Sequence, residues 1–125
     1  STVSKIVSIR NTGRSDAWIR VRVSIEVKDG EGLPLDTGVV GFTVEGPWFD
    51  GGDGYYYYGE TVPAEKETQV LFREVRFDPD MGNEYQNCTA YIKIEAEAVQ
   101  TANNPIPDGG TVRDVAGWPG AEGVV

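Results

Sequence analysis

The chain has 125 residues, 20 acidic against 11 basic, for a formal net charge of −9. That balance supplies no basic stripe to release counterions from nucleic-acid phosphates, and it disfavours an anionic membrane surface. Histidine is absent and Cys88 is the single cysteine, which excludes Ser-His-Asp and Cys-His catalysis, His-Glu-x-x-His zinc sites, a cysteine zinc cluster and an internal disulfide.

This length suits one domain over residues 1–125, burying roughly two-thirds of the surface its unfolded chain exposes. No apolar run approaches the ~20 residues of a transmembrane helix. The opening Ser-Thr-Val-Ser-Lys is not a signal peptide, so the chain reads as a soluble one from which a signal could have been cut.

In chain order, Val3 to Ile9 is rich in β-formers, and Asn11-Thr12-Gly13 supplies turn chemistry. Ala17 to Lys28 then alternates strictly: Ala17, Ile19, Val21, Val23, Ile25 and Val27 are apolar, with Trp18, Arg20, Arg22, Ser24, Glu26 and Lys28 between them. Side chains alternate across a strand, so this predicts one long strand, ~40 Å end to end, with a buried face and a wet face. Asp29 to Gly32 ends it, Leu33-Pro34 opens a loop, and Val39 to Val44 reads as a third strand broken by Gly46-Pro47 before Trp48-Phe49. Asp50-Gly51-Gly52-Asp53-Gly54 followed by Tyr55 to Tyr58 predicts a hairpin turn feeding a strand. Thr61 to Glu67 is a loop with one helical turn, and Gln69 to Phe77 a further strand that ends in the turn Asp78 to Asn83.

Ala90 to Gln100 mirrors the first long strand. Ala90, Ile92, Ile94, Ala96 and Ala98 share one face, and Tyr91, Lys93, Glu95 and Glu97 the other. If the two long strands are antiparallel neighbours, Arg20 and Arg22 pair with Glu95 and Glu97 across them, at roughly 0.2–1 kcal/mol each. Arg20, on the wet face, then contributes ~1 kcal/mol at most. The small Ala96 and Ala98 suggest one sheet approaching another closely. From about residue 101 an irregular arm follows, with Val112 to Trp118 packing back and Gly120 to Val125 fraying. Short strands, glycine-rich turns and no helical period predict an all-β, antiparallel sandwich.

Few constellations suggest chemistry. Asp50, Asp53 and Glu60 are candidates to collect a calcium ion, since carboxylates near a glycine turn suit a hard cation, but they lack EF-hand spacing. A plain hairpin turn explains them as well. Asp78 and Asp80 around Pro79 are a weaker candidate, and acidic pairs fit for a glycosidase need a fixed separation that sequence does not supply. Trp18, Trp48 and Tyr55 to Tyr58 could form a platform for sugar rings or simply fill core and sheet edges. Asn87-Cys88-Thr89 fits the glycosylation sequon. No catalytic residue, cofactor or resident metal is assigned, and the expectation is a protein without enzymatic activity.

The order of Lys5 to Val23, the Asp-Gly-Tyr-Tyr-Tyr-Tyr run, the proline-glutamate loop, Tyr91 to Asn104 and a late Trp118 resembles the TasA/camelysin family of secreted Gram-positive proteins, over nearly the whole chain. The resemblance implies removal of a signal peptide by a dedicated signal peptidase, a jelly-roll-like β-sandwich, and a place outside the cell or on its surface. It also implies assembly into biofilm-matrix fibres, in which an N-terminal strand of one subunit completes the sheet of the next. Partners would be further copies or related matrix proteins meeting at sheet edges, with cell-wall or matrix polysaccharide as another candidate. Camelysin-type members have been called metallopeptidases; the lack of histidine departs from such a role. In the family pattern a further strand precedes the equivalent of Lys5-Ile6-Val7, so the resemblance implies a vacant strand position here. A glycan-binding module is the alternative expectation, and a camelysin-like metallopeptidase the third.

Overall fold

The computed structural model describes residues 1–119; Gly120 to Val125, expected to fray, lie outside the described residues. The fold is all-β and antiparallel. Its strands are β1 (Thr2–Val7), β2 (Ala17–Lys28), β3 (Pro34–Leu35), β4 (Val40–Gly41), β5 (Trp48–Asp50), β6 (Tyr56–Tyr58), β7 (Phe72–Phe77) and β8 (Thr89–Gln100). Three short 3-10 turns, at Thr37–Val39, Asn83–Tyr85 and Val112–Asp114, are the helical elements among the described residues.

One sheet runs β1-β7-β4, and β2 organises the other. All twelve residues of β2 pair with β8, from Ala17 opposite Gln100 to Lys28 opposite Thr89, without a slip. On its other side β2 meets β6 near one end and β3 at the other, with β5 beyond β6. The predicted first long strand is reproduced residue for residue, and the second starts one residue earlier, at Thr89. The register places Arg20 opposite Glu97 and Arg22 opposite Glu95, as the charge pattern suggested.

Residues of both sheets enclose one core. Ile19, Val21 and Val27 of β2 and Tyr58 of β6 meet Phe72 and Val75 of β7, with Leu71 and Val62 between the layers. Fully burying side chains of this size stabilises the fold by about 1.5–3 kcal/mol each. The predicted hairpin forms between β5 and β6. The carboxylate of Asp50 accepts from Gly52 N at 2.8 Å, Gly52 takes φ 74° and Gly54 φ 91°, a conformation glycine adopts without a Cβ penalty.

Three expectations are corrected. Only Val40–Gly41 of the stretch from Val39 to Val44 pairs as a strand, with Phe77 and Arg76. The chain rejoins this side through Glu45 N, which donates to Leu71 O at 2.9 Å. β7 begins at Phe72 rather than Gln69, because Gln69 is taken up by β5 and β6: its N–H donates to Tyr58 Oη, and its C=O accepts from Trp48 Nε1. The loop from Thr61 to Glu67 holds no helical turn; Glu65 sits at φ 68° and donates its N–H to Asn11 O.

Candidate functional site

The outer face of the long sheet is not uniformly wet. Beyond β8 the chain turns back, and a capping box at Thr111 and Asp114 fixes the turn Val112–Asp114. Val112, Val115 and Trp118 then bury against Tyr57, with Trp18, Phe49, Tyr55 and Val99 at the margin. Arg20, at 6% exposure, is enclosed by this second layer. Its Nε donates to Glu97 Oε1 at 2.6 Å, Nη1 to Tyr57 Oη at 3.3 Å, and Nη2 to Pro119 O at 3.0 Å. The guanidinium carbon lies 3.8 Å from the centre of the Tyr55 ring and 4.8 Å from that of Trp118. The expectation that Arg20 is a surface residue of little energetic weight is therefore wrong. Alternation assigned its face correctly, but that face is roofed by the arm.

Tyr57 Oη in turn donates to Asp53 Oδ2 at 2.5 Å, and Arg113 lies 3.5 Å from the same carboxylate. Burial pushes the Asp53 pKa up, but the hydrogen bonds from Tyr57 and Tyr55 N, with the charge of Arg113, outweigh it and hold the group below its usual range. The sign follows: a depressed folded pKa gives stability that is present above the unfolded value of about 4 and lost as pH falls through the folded one. Acid titration of near-ultraviolet circular dichroism should show the Trp118 layer loosening below about pH 4. Asp53→Asn should remove that acid-dependent component while lowering stability at neutral pH. An identical acid profile in the variant would reject Asp53 as its source.

The other sequence candidates fall out as follows. Asp50 and Asp53 each cap their own hairpin turn, and Glu60 faces Tyr58 Oη at 3.5 Å. Asp78 accepts from Asp80 N at 2.9 Å. Among the described residues, no group of three or more His, Cys, Asp or Glu side chains is placed to hold a metal ion. Of the aromatics, Trp48 and Tyr58 fill the main core and Tyr57 the second layer. Tyr55 stacks on Arg20 and accepts from Arg22 Nη2 at 2.9 Å, and Trp18 Nε1 donates to Asn104 O at 2.7 Å. Their polar atoms and ring faces are thus engaged within the fold. Asn87 of the sequon is exposed at φ 62°, in the turn before β8.

The feature that alternation did not reveal is an open seam. β1 pairs only with β7 and β8 only with β2, so among the described residues each leaves one edge of its sheet unpaired. The two edges share a mouth: a cleft of about 270 Å³ is lined by Val3, Lys5, Val75 and Phe77 from one sheet and by Ala90 and Ile92 from the other. A second cleft of about 270 Å³ lies where the turn from Ile9 to Gly13 stands over Ala96 and Ala98. Val3 is 53% and Ile6 65% exposed, and Ile92 and Ile94 are only half-buried. The small Ala96 and Ala98 do not mark close sheet packing, as expected from their size; both are exposed. A bulge between Ser4 and Val7 breaks the β1 ladder, and Lys5 is among the residues that line the mouth. Bulges and inward-facing lysines are devices by which edge strands resist indiscriminate pairing.

Comparison with protein-family models, curated proteins and solved structures returns no match.

Proposed function

We propose that this chain is a secreted or cell-surface structural protein, a biofilm-matrix or surface-fibre subunit. In this reading its jelly-roll-like β-sandwich is completed by a strand donated at the seam between β1 and β8. The observation that carries the proposal is the seam itself, where an unpaired β1 edge adjoins an apolar strip that its own chain leaves half-covered. A strand added there gains main-chain hydrogen bonds from β1, while its alternate side chains settle over Val75, Phe77 and Ile92. Lys5 makes the site selective, favouring a strand with a carboxylate opposite it. The occupant in this reading is the N-terminal strand of a neighbouring copy, whose backbone pairs with the β1 edge. The function needs no catalytic group, in keeping with the absence of histidine.

The test is to purify the secreted product of the gene and examine it, concentrated, by size-exclusion chromatography and electron microscopy. Fibres or ladders are the expected result. Val3→Glu should leave the monomer's thermal melt unchanged, since Val3 is 53% exposed. It should nevertheless abolish the ladders, by placing a carboxylate under the incoming strand. A product that stays monomeric under fibre-promoting conditions, or a Val3→Glu variant that assembles like wild type, overturns the proposal.

A further inference from the structure

The β8 edge carries information of its own. β8 is twelve residues long and holds an unbroken register with β2, so its free edge is continuous. Charged side chains usually guard such an edge, but here one lysine and one glutamate two residues apart, Lys93 and Glu95, suit a copy of the same strand. Lys93 and Glu95 share the outer face, with side chains 71% and 54% exposed, and only a loose 3.9 Å contact joins them.

We propose that two copies of this chain pair antiparallel along their β8 edges, with Ile94 opposite the partner's Ile94 and Lys93 opposite the partner's Glu95.

The register is the one that sets opposite charges against each other on the outer face. Like faces must meet across an antiparallel pair, since a one-residue slip would set the apolar row of one copy against the charged row of the other. With Ile94 at the two-fold axis, the inner face pairs Ile92 with Ala96 and Ala90 with Ala98, apolar against apolar throughout. The outer face pairs Lys93 with Glu95 twice. Centring the pair on Glu95 would oppose two carboxylates, and centring it on Lys93 two ammonium groups. Pairing Lys93 with Glu97 is disfavoured as well, because Glu97 is already held by Arg20 at 2.6 Å. Glu95 has no such commitment; its cross-strand neighbour Arg22 turns its guanidinium to Tyr55.

The two-fold axis stands perpendicular to the sheet and between identical edges, the isologous arrangement that self-complementary surfaces favour. It keeps both β1-β7-β4 sheets on one side of a continuous double sheet and brings the two half-exposed Ile94 side chains together. The pairing leaves β1 unpaired, so it does not rest on strand donation there. One strand edge is a small interface, and the association is concentration-dependent rather than permanent.

Sedimentation equilibrium over a wide concentration range tests the pairing on four proteins: wild type, Lys93→Glu, Glu95→Lys and the double reversal. Below the concentrations at which fibres form, wild type should show a monomer–dimer equilibrium. Each single reversal puts like charges opposite each other at two symmetric places and should weaken the dimer by about tenfold. The double reversal should restore it, because opposite charges again face each other at both places. In a Cys88→Ser background, Ile94→Cys should form a disulfide-linked dimer on mild oxidation. Ile92→Cys and Ala96→Cys should do so only when mixed with each other. Wild type that is monomeric throughout, a double reversal that does not restore association, or cross-linking of Ile92→Cys alone would each overturn the pairing. A Lys93→Glu chain that loses the dimer yet still forms fibres supports it as an interface separate from strand acceptance at β1.

Discussion

Ile19→Asp should unfold the domain or destabilise it severely. Ile19 is 2% exposed near the start of β2, opposite Ala98, and belongs to the core both sheets share. An aspartate there either buries an unpaired carboxylate or titrates to its neutral form, and it forfeits the isoleucine packing. The combined cost of roughly 4–6 kcal/mol is comparable with the whole stability of a small domain, about 5–15 kcal/mol. Ile94→Asp, on the equivalent face of β8, should cost about half as much, because Ile94 is only partly buried and the new carboxylate can reach water. Urea denaturation followed by circular dichroism decides the matter. A stable Ile19→Asp protein, or equal losses from the two variants, would show that the core is not distributed between the sheets as described.

Arg20→Ala should destabilise by about 3 kcal/mol, the low end of the range for breaking a buried ion pair, since Glu97 keeps partial contact with water. The substitution removes three hydrogen bonds and two ring contacts, and it leaves Tyr57 Oη and Pro119 O without their donor. Arg22→Ala is the internal control: this second arginine of the same face is exposed, donates to Tyr55 alone, and its loss should cost under about 1 kcal/mol. Denaturation midpoints give the difference, and Trp118 fluorescence reports whether the arm lifts. If Arg20 and Arg22 prove equivalent, the second layer does not contribute to stability.

The contrast between these two arginines shows what the sequence conveyed and what it withheld. Period-two alternation located β2 and β8 almost to the residue, because it records which face of a pleated strand each side chain leaves by. It does not record what lies above that face. The sequence suggested that Val112 to Trp118 packs back, and Val112, Val115 and Trp118 recur every third residue, but nothing in that spacing says that they roof Arg20. The same limit explains the misreading of Ala96 and Ala98. A small side chain fits where two sheets close in, and equally beside an open cleft, as Ala96 and Ala98 do beneath the turn from Ile9 to Gly13. The candidate seam was not legible in the residue pattern, since an unpaired edge is a property of topology. Lys5 and Val3 became its lining through the pairing of β1 with β7.

The unbroken ladder between β2 and β8 also has a mechanical consequence. Antiparallel neighbours begin at opposite ends, so opposed forces applied to the leading ends of these two strands act along a common axis and try to slide one past the other. The hydrogen bonds lie across that direction, and the twelve residue pairs share the load together instead of parting one after another. Pulling apart two adjacent strand ends would instead open the same ladder rung by rung, at far lower force. A filament whose tension runs along β2 and β8 would therefore be stiff lengthwise and easily peeled from the side.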